Sequence, residues 1–472
     1  MNPSSETQPT PKAIPTTTAR RDFLKGSAAA GVTAMASSLP IASFAQVGGS
    51  DEIKVGIVGV GGRGSGAVVQ TLNVDGCRLV AAGDVFEDKL AGLNRIRGQL
   101  DQAGKGARFD VKPENQFSGF DAYKHVIEKC DLVILSTPPG FRPEQFEAAI
   151  NAGKHVFMEK PICTDAHGYN RIIKAAQMAD QKGLKVVVGL QRRYHPSYRE
   201  AFRKVREEGI LGDLVGAQCY WNGTRPWTRQ REAGQTELQF QMRNWYHFAW
   251  ICGDHICEQH VHNLDVINWF VCGDEKGGHP VVAQGMGSRS GWEDPKSGEI
   301  FDHHYVEFRY ANGVVLNSQC RHIKGCKNRV EEELYGTKGM ITLDQGKAVA
   351  VDFKGKEIWR FTGPGASGEK RDRRRAEGGP NPYQVEHDEL HAAIRQKKPL
   401  NNAYYGADST FTACLGRLAT YTGQEVKWDD AIKSDFALVP DNMTWNSPAP
   451  VQPNPDGTYK FAIPGQTKLP WA

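Results

Sequence analysis

The stretch "IKVGIVGVGGRGSGAVVQTL", residues 53–72, constrains this chain more than any other. A short apolar run, Ile53 to Val58, leads into Gly59-Val60-Gly61-Gly62-Arg63-Gly64 and then into apolar residues at helical spacing. Glycines at such a junction allow a tight turn and let main-chain N–H groups approach a pyrophosphate at the helix N-terminus. A second run, "CRLVAAGDVF", ends in Asp84, twenty residues past Gly64. An acid there can accept hydrogen bonds from the ribose hydroxyls of an adenosine. It would also repel a 2′-phosphate, and the following "VFED" supplies no arginine to neutralise one. NAD is therefore the expected cofactor and NADP the less suited one, held by Gly59, Gly61, Gly62, Arg63, Gly64 and Asp84.

The alternation of strand and helix continues. "CDLVILSTPP" (130–139) predicts a buried strand, "PEQFEAAINAG" a helix stopped by Gly153, "KHVFMEKPI" a strand, "GYNRIIKAAQMADQKG" a helix and "LKVVVGLQRRY" another strand. The fold class predicted is α/β, with an N-terminal doubly wound parallel sheet over residues 51–192. In such sheets the ligand lies beyond the C-terminal strand ends. Thr137, Pro138, Glu159 and Lys160 stand at those ends and join the cofactor-binding candidates.

From about Tyr194 the pattern changes. "LVGAQCYWNG", "PVVAQGMGSRSG", "DHHYVEFRYANGVVLNSQCRH", "VEEELYGTKGMITLD" and "AVAVDFKGKEIWRF" are strand-like runs with turn residues between several of them. They predict a second α/β domain, residues 193–438, on a large, mainly antiparallel open sheet. The charged, glycine-containing stretch 362–382 reads as a loop, and the Pro-rich residues 439–472 as an extended tail over this domain or a neighbouring subunit.

A chain of 472 residues is too long for one ordinary core, which agrees with two domains. Its net charge is only +4, and no basic stripe carries interleaved aromatics, so a nucleic-acid partner is not expected. Small-molecule chemistry is. The ten cysteines are scattered through apolar segments and read mostly as buried free thiols.

Residues 1–45 differ in kind. "TTTARRDFLKGSAAAGVTAMASSLPIASFAQ" joins Arg20-Arg21 to a weakly apolar Ala/Ser-rich run closing on Ser43-Phe44-Ala45, and resembles a twin-arginine export signal. The resemblance implies export to the periplasm through the twin-arginine machinery, after folding and with a cofactor already bound. The run is too polar for a stable membrane span.

"VILSTPP" followed about twenty residues later by "AGKHVFMEKP", together with the glycine turn and a later histidine segment, resembles the Gfo/Idh/MocA family of glucose-fructose oxidoreductases and inositol dehydrogenases over roughly residues 53 to 435. The resemblance implies that Lys160 of Glu159-Lys160-Pro161 approaches nicotinamide and substrate, that its bond to Pro161 is often cis, and that the chain forms a dimer or tetramer through the open sheet. A desolvated amine beside a nicotinamide cation is pushed toward a lower pKa and can exchange protons near neutrality.

The histidine segment, "GDHICEQHVHNLDVINW" (253–269), reads as helix. Glu258, His262 and Asp265 fall at i, i+4 and i+7, with His255 three residues earlier on the same face, and His260 elsewhere. The family commonly has D-x-x-x-H-x-x-D here, and this chain has Glu258 in the first acid position. The implied mechanism is removal of a proton and a hydride from a carbinol. His262, near neutral pKa, takes the hydroxyl proton, Glu258 orients His262 or the substrate, and Lys160 stabilises the oxygen. Arg193 and Tyr194, just past a strand end, are expected to meet substrate with His255 and Asp265. Trp221, Arg225, Trp227, Trp245 and Tyr246 can line a sugar site. A divalent ion on these histidines, aided by His303 or His304, is a rival. His255 and His262 lie two turns apart, beyond the usual chelating pair, so no metal is assigned.

The expected function is an exported NAD-dependent oxidoreductase acting on a secondary hydroxyl of a sugar, glycoside or cyclitol, with cofactor held tightly and recycled in place. The alternatives are an NAD-dependent internal-redox glycoside hydrolase or lyase, and a non-catalytic NAD-holding sugar-binding module.

Overall fold

The computed structural model describes residues 52–273, 276–290, 294–364 and 380–471. The twin-arginine segment and most of the charged loop lie outside them. Six strands, β1 (Ile53–Val58), β2 (Cys77–Asp84), β3 (Gln116–Ser118), β4 (Leu132–Leu135), β5 (His155–Met158) and β6 (Val186–Val188), form an all-parallel sheet in the order β3-β2-β1-β4-β5-β6. All of "LVIL" in central β4 is buried because helices cover both faces of the sheet, and so is "VVV" in edge strand β6. Those helices are α1 (Gly62–Asn73), α2 (Gly92–Gln102), α3 (Ala122–Lys129), α4 (Arg142–Asn151) and α5 (Ala166–Gln181). The strand order reverses between β1 and β4, which opens the crevice expected for a ligand.

After α6 (Pro196–Arg206) the chain builds the second sheet from β7 (Leu214–Gly223), β8 (Val282–Ser288), β9 (His303–Arg309), β10 (Val315–His322), β11 (Arg329–Gly336), β12 (Met340–Asp344), β13 (Lys347–Val351), β14 (Glu357–Arg360) and β15 (Val426–Lys427). The order is β14-β13-β12-β11-β7-β10-β9-β8-β15, and every neighbour is antiparallel except β7 with β10. Burial alternates along β9 to β12, so only one face is covered. The short helices α7 (Glu237–Arg243), α8 (Ala249–Cys252) and α9 (His255–Glu258) precede α10 (Val261–Cys272); α11 (Pro382–Gln396), α12 (Ala403–Thr422) and α13 (Trp428–Lys433) follow the sheet. Helices α10 and α12 pack on its covered face, whereas α11 returns to the first sheet and adds Leu390 to its core. The tail is not a loose strap. Met443, Ala449 and Tyr459 are buried against Phe141, Phe248 and Trp250, and the Trp445 ring lies 5.2 Å from Phe86 and 5.0 Å from Phe120.

The histidine segment is not one continuous helix. Gly253 and Asp254 both have positive φ, at 78° and 72°, and split α8 from α9; a second break at Gln259-His260 separates α9 from α10. At that break the His262 N–H bonds Gln259 O at 3.4 Å, and the Glu258 carbonyl accepts from Lys160 Nζ at 2.6 Å instead.

Candidate active site

A cavity of about 780 Å³, within the usual range for ligand pockets, runs along the crevice. One end is lined by Gly59, Gly61, Gly62, Arg63, Gly64, Asp84, Phe86 and Phe120, the other by Glu159, Lys160, Trp221, Trp245, Glu258, Gln259 and His262. Thr137 and Pro138 lie between, and Pro440, Asn442, Met443 and Thr444 of the tail also line it.

The glycines divide into two kinds. Gly59 has φ +92°, and a Cβ there would lie 2.7 Å from the Ser136 carbonyl carbon; one on Gly64 would collide with Gly59 O. These two make the turn possible. A Cβ on Gly61 or Gly62 would meet nothing within 4 Å. Both border the cavity, so their bareness leaves room for a pyrophosphate against the N-terminus of α1. The residues present fit a dinucleotide. Asp84 is buried and accepts from Val60 N at 2.8 Å and Phe86 N at 3.1 Å, which fixes the glycine turn and leaves lone pairs for a ribose. Burial raises its pKa, against those two amides. An arginine does stand nearby, since Arg243 lies 3.7 Å over the Phe86 ring, but it is held by Asp88 at 2.8 and 2.6 Å. Its charge is thereby answered within the protein.

Two further arginines shape the middle of the cavity. Arg63 Nε pairs with Glu159 Oε1 at 2.5 Å and lies 4.8 Å over the Tyr383 ring. Arg142, which no sequence pattern marked, is buried and donates to the carbonyls of Leu135 at 2.8 Å, Thr137 and Glu159. It ties the ends of β4 and β5 together. Burial lowers its pKa to about 10.

At the chemical end Lys160, whose bond to Pro161 is cis, points its ammonium at Glu258, with Nζ 3.0 Å from Oε1 and 2.6 Å from the Glu258 carbonyl. Both side chains are nearly buried, at 13% and 10% exposure. Glutamate in place of the family's aspartate thus grips the lysine with carboxylate and carbonyl together. The His262 ring stacks on Trp221 at 5.9 Å, and its Nδ1 has no partner among the described residues. Its pKa departs from the near-neutral expectation. Burial first, then Lys160 beside it, hold it well below the usual imidazole range, so the ring is neutral with a lone pair to offer.

Four expected substrate residues lie elsewhere. Arg193 turns into the core and grips Asp265 at 2.9–3.0 Å, with its guanidinium 3.9 Å over the Tyr405 ring. Tyr194 donates to Asn402 Oδ1 at 2.6 Å. The short 3-10 helix Gln191–Tyr194 gives the cavity Gln191 instead. His255 is 0% exposed and outside the cavity lining, because the break after Glu258 cancels the helical phase that placed it beside His262. His260 is a packing residue, 2.7 Å from Ser318 Oγ. Of the sugar-site candidates, Trp221, Trp227 and Trp245 line the cavity; Arg225 and Tyr246 do not. All ten cysteines are free, eight of them buried.

Residues 53–190 match the oxidoreductase family with an NAD-binding Rossmann fold, and residues 200–342 match the GFO/IDH/MocA C-terminal domain. The inositol 2-dehydrogenase of Rubrobacter xylanophilus is 26% identical over 302 residues, 63% of this chain and 72% of that protein. A glycosyl hydrolase family 109 protein of Solibacter usitatus is 31% identical over 151 residues, 30% of this chain and 33% of that protein. Among solved structures, the aldose-aldose oxidoreductase of Caulobacter crescentus, complexed with glycerol, superposes with a TM-score of 0.59 at 19% identity, over 80% of this chain and 99% of that one.

Proposed function

The chain belongs to the Gfo/Idh/MocA family of NAD-binding oxidoreductases acting on CH–OH groups, and we propose that it oxidises a secondary hydroxyl of a sugar, glycoside or cyclitol. One observation carries this reading: the Lys160–Glu258 pair and His262 share a single cavity with the glycine turn. NAD bound at that turn supplies the acceptor for the hydride. Lys160, held by Glu258, donates to the carbinol oxygen as charge grows on it, and neutral His262 takes the hydroxyl proton. Trp221, Trp227 and Trp245 offer flat apolar faces suited to the C–H surfaces of a sugar ring.

Export by the twin-arginine route and recycling of a tightly held cofactor belong to the same proposal. Tail residues 440 and 442–444 line the cavity and so add wall around a bound dinucleotide, which suits retention. The uncovered face of the second sheet, with Met286 70% exposed, is the surface proposed for a dimer or tetramer. The likeness to a glycosyl hydrolase family 109 protein favours a second reading, internal redox with loss of a leaving group. Retention of Lys160 weighs toward net oxidation. The test is to purify the exported protein, ask whether NAD(H) survives gel filtration, and follow absorbance at about 340 nm, the reduced-nicotinamide band, with a panel of sugars and glycosides. Absorbance that rises with one sugar and falls with a second supports oxidoreduction. Aglycone released without net absorbance change supports internal redox, and no change with any sugar, glycoside or cyclitol would remove the catalytic proposal.

A further inference from the structure

Behind Glu258, outside the cavity, Asp254, His255 and His304 converge, with their potential ligand atoms all within 4.8 Å of one another. All three side chains are 0% exposed. His255 has no partner among the described residues for either ring nitrogen. Two buried nitrogens without partners are costly unless something is bound to them.

The orientation of His304 can be read from its neighbours. Its Nδ1 lies 2.9 Å from Thr420 Oγ1, and that hydroxyl spends its single proton on the carbonyl of Gly416 or Arg417, at 3.1 and 3.0 Å. Thr420 can therefore only accept from His304, so Nδ1 carries hydrogen and Nε2 is the nitrogen left to face an ion. His304 Nε2 lies 3.3 Å from Asp254 Oδ2, while His255 Nε2 stands 3.9 Å from Asp254 Oδ1. The Asp254 carboxylate accepts from the amides of His255 and Phe301, the latter at 3.0 Å, and from the Tyr421 hydroxyl at 2.6 Å, which fixes its orientation. It sits at φ 72°, where a residue other than glycine is strained. Two imidazole nitrogens thus meet a carboxylate in a fully buried site.

We infer that Asp254, His255 and His304 bind a divalent transition-metal ion of the zinc class. Two imidazole nitrogens and a carboxylate oxygen are a donor set that zinc takes, and atoms spaced this way close around an ion about 2.0–2.2 Å from each with small adjustments. The site is closed to the cavity, so its role is positional. Helix α9 is a single turn, too short to hold itself. The ion joins its first residue, His255, to β9, and three residues on lies Glu258, which grips Lys160. The metal site stands on its own geometry; its bearing on Glu258 rests on the proposed oxidoreductase reading.

The test uses the full chain purified from zinc-supplemented medium, with metal content by elemental mass spectrometry and thermal unfolding, neither of which depends on turnover. About one ion per chain after gel filtration is expected, with Tm falling on treatment with dipicolinate and recovering with Zn2+. Co2+ in its place should give visible d–d absorption. Asp254→Asn and His304→Gln should each remove the ion, and His303→Ala, on the other side of the strand, should keep it. The substoichiometric protein showing neither a Zn2+-dependent Tm nor a Co2+ spectrum would overturn the site and leave a proton shared between His304 and Asp254. Metal present with no sugar oxidised would leave the site standing and count only against the function.

Discussion

The two ends of the cavity are made of different material. At the cofactor end the recognition surface is main chain: bare Gly61 and Gly62, the N-terminus of α1, and an aspartate whose carboxylate is itself held by the amides of Val60 and Phe86. At the chemical end it is side chain, with Lys160 after β5, Trp221 on β7, Glu258 on α9 and His262 on α10. The difference teaches where change is tolerated. A main-chain site is set by local conformation, whereas a side-chain site depends on partners about a hundred residues away, as Lys160 depends on Glu258.

If that division is right, the ends should fail separately. Lys160→Met should lower kcat about 10³-fold, near 4 kcal/mol of barrier, while NAD affinity by fluorescence titration stays within about twofold. A variant with full turnover would sink the catalytic assignment. Glu258→Asp, which restores the family's usual acid, should shorten the reach to Lys160 and cost about 10- to 100-fold in kcat with NAD affinity unchanged. Equal activity would show that depth at this position is immaterial. Asp84→Ser should act at the other end, weakening NAD about tenfold and improving NADP, with kcat at saturation nearly kept. A fall in kcat as large as that for Lys160→Met would break the separation. The smallest effect is in pH. Because burial and Lys160 hold the His262 pKa down, the ring stays unprotonated as pH falls below its unperturbed value, and the acid limb of kcat/KM should lie below about pH 6.5. A limb at or above that value, and lost in His262→Gln, would contradict the buried neutral base.

The cofactor end was legible because its signal is local. The spacing from Gly59 to Asp84 sits on one strand-turn-helix-strand unit, and every glycine named there lines the cavity. The strands of the second sheet were legible for the same reason, by alternation and turn residues, except two-residue β15, too short for any period. Arg142 was invisible: a charge on an amphipathic helix reads as solvated, yet it is buried among three carbonyls. The tail was equally opaque, since aperiodic Pro-rich sequence does not say that Met443 will be buried and Trp445 set beside Phe86.

The trio Lys160, Glu258 and His262 came from the family resemblance and stays a proposal. What the sequence by itself determined is the parallel cofactor domain, the antiparallel partner sheet, and the glycine turn with Asp84. These follow from patterns that repeat over a few residues, where neighbours in sequence are neighbours in space. Only the tertiary structure decided which way the other candidates face. Arg193 and Asp265 neutralise each other in the core, and His255 turns from the cavity toward Asp254 and His304. Two positive-φ residues and a lost helical hydrogen bond at Gln259-His260 rotate these side chains relative to one another. A break of that kind is fixed by a lysine arriving from nearly a hundred residues away, and no helical period can foresee it.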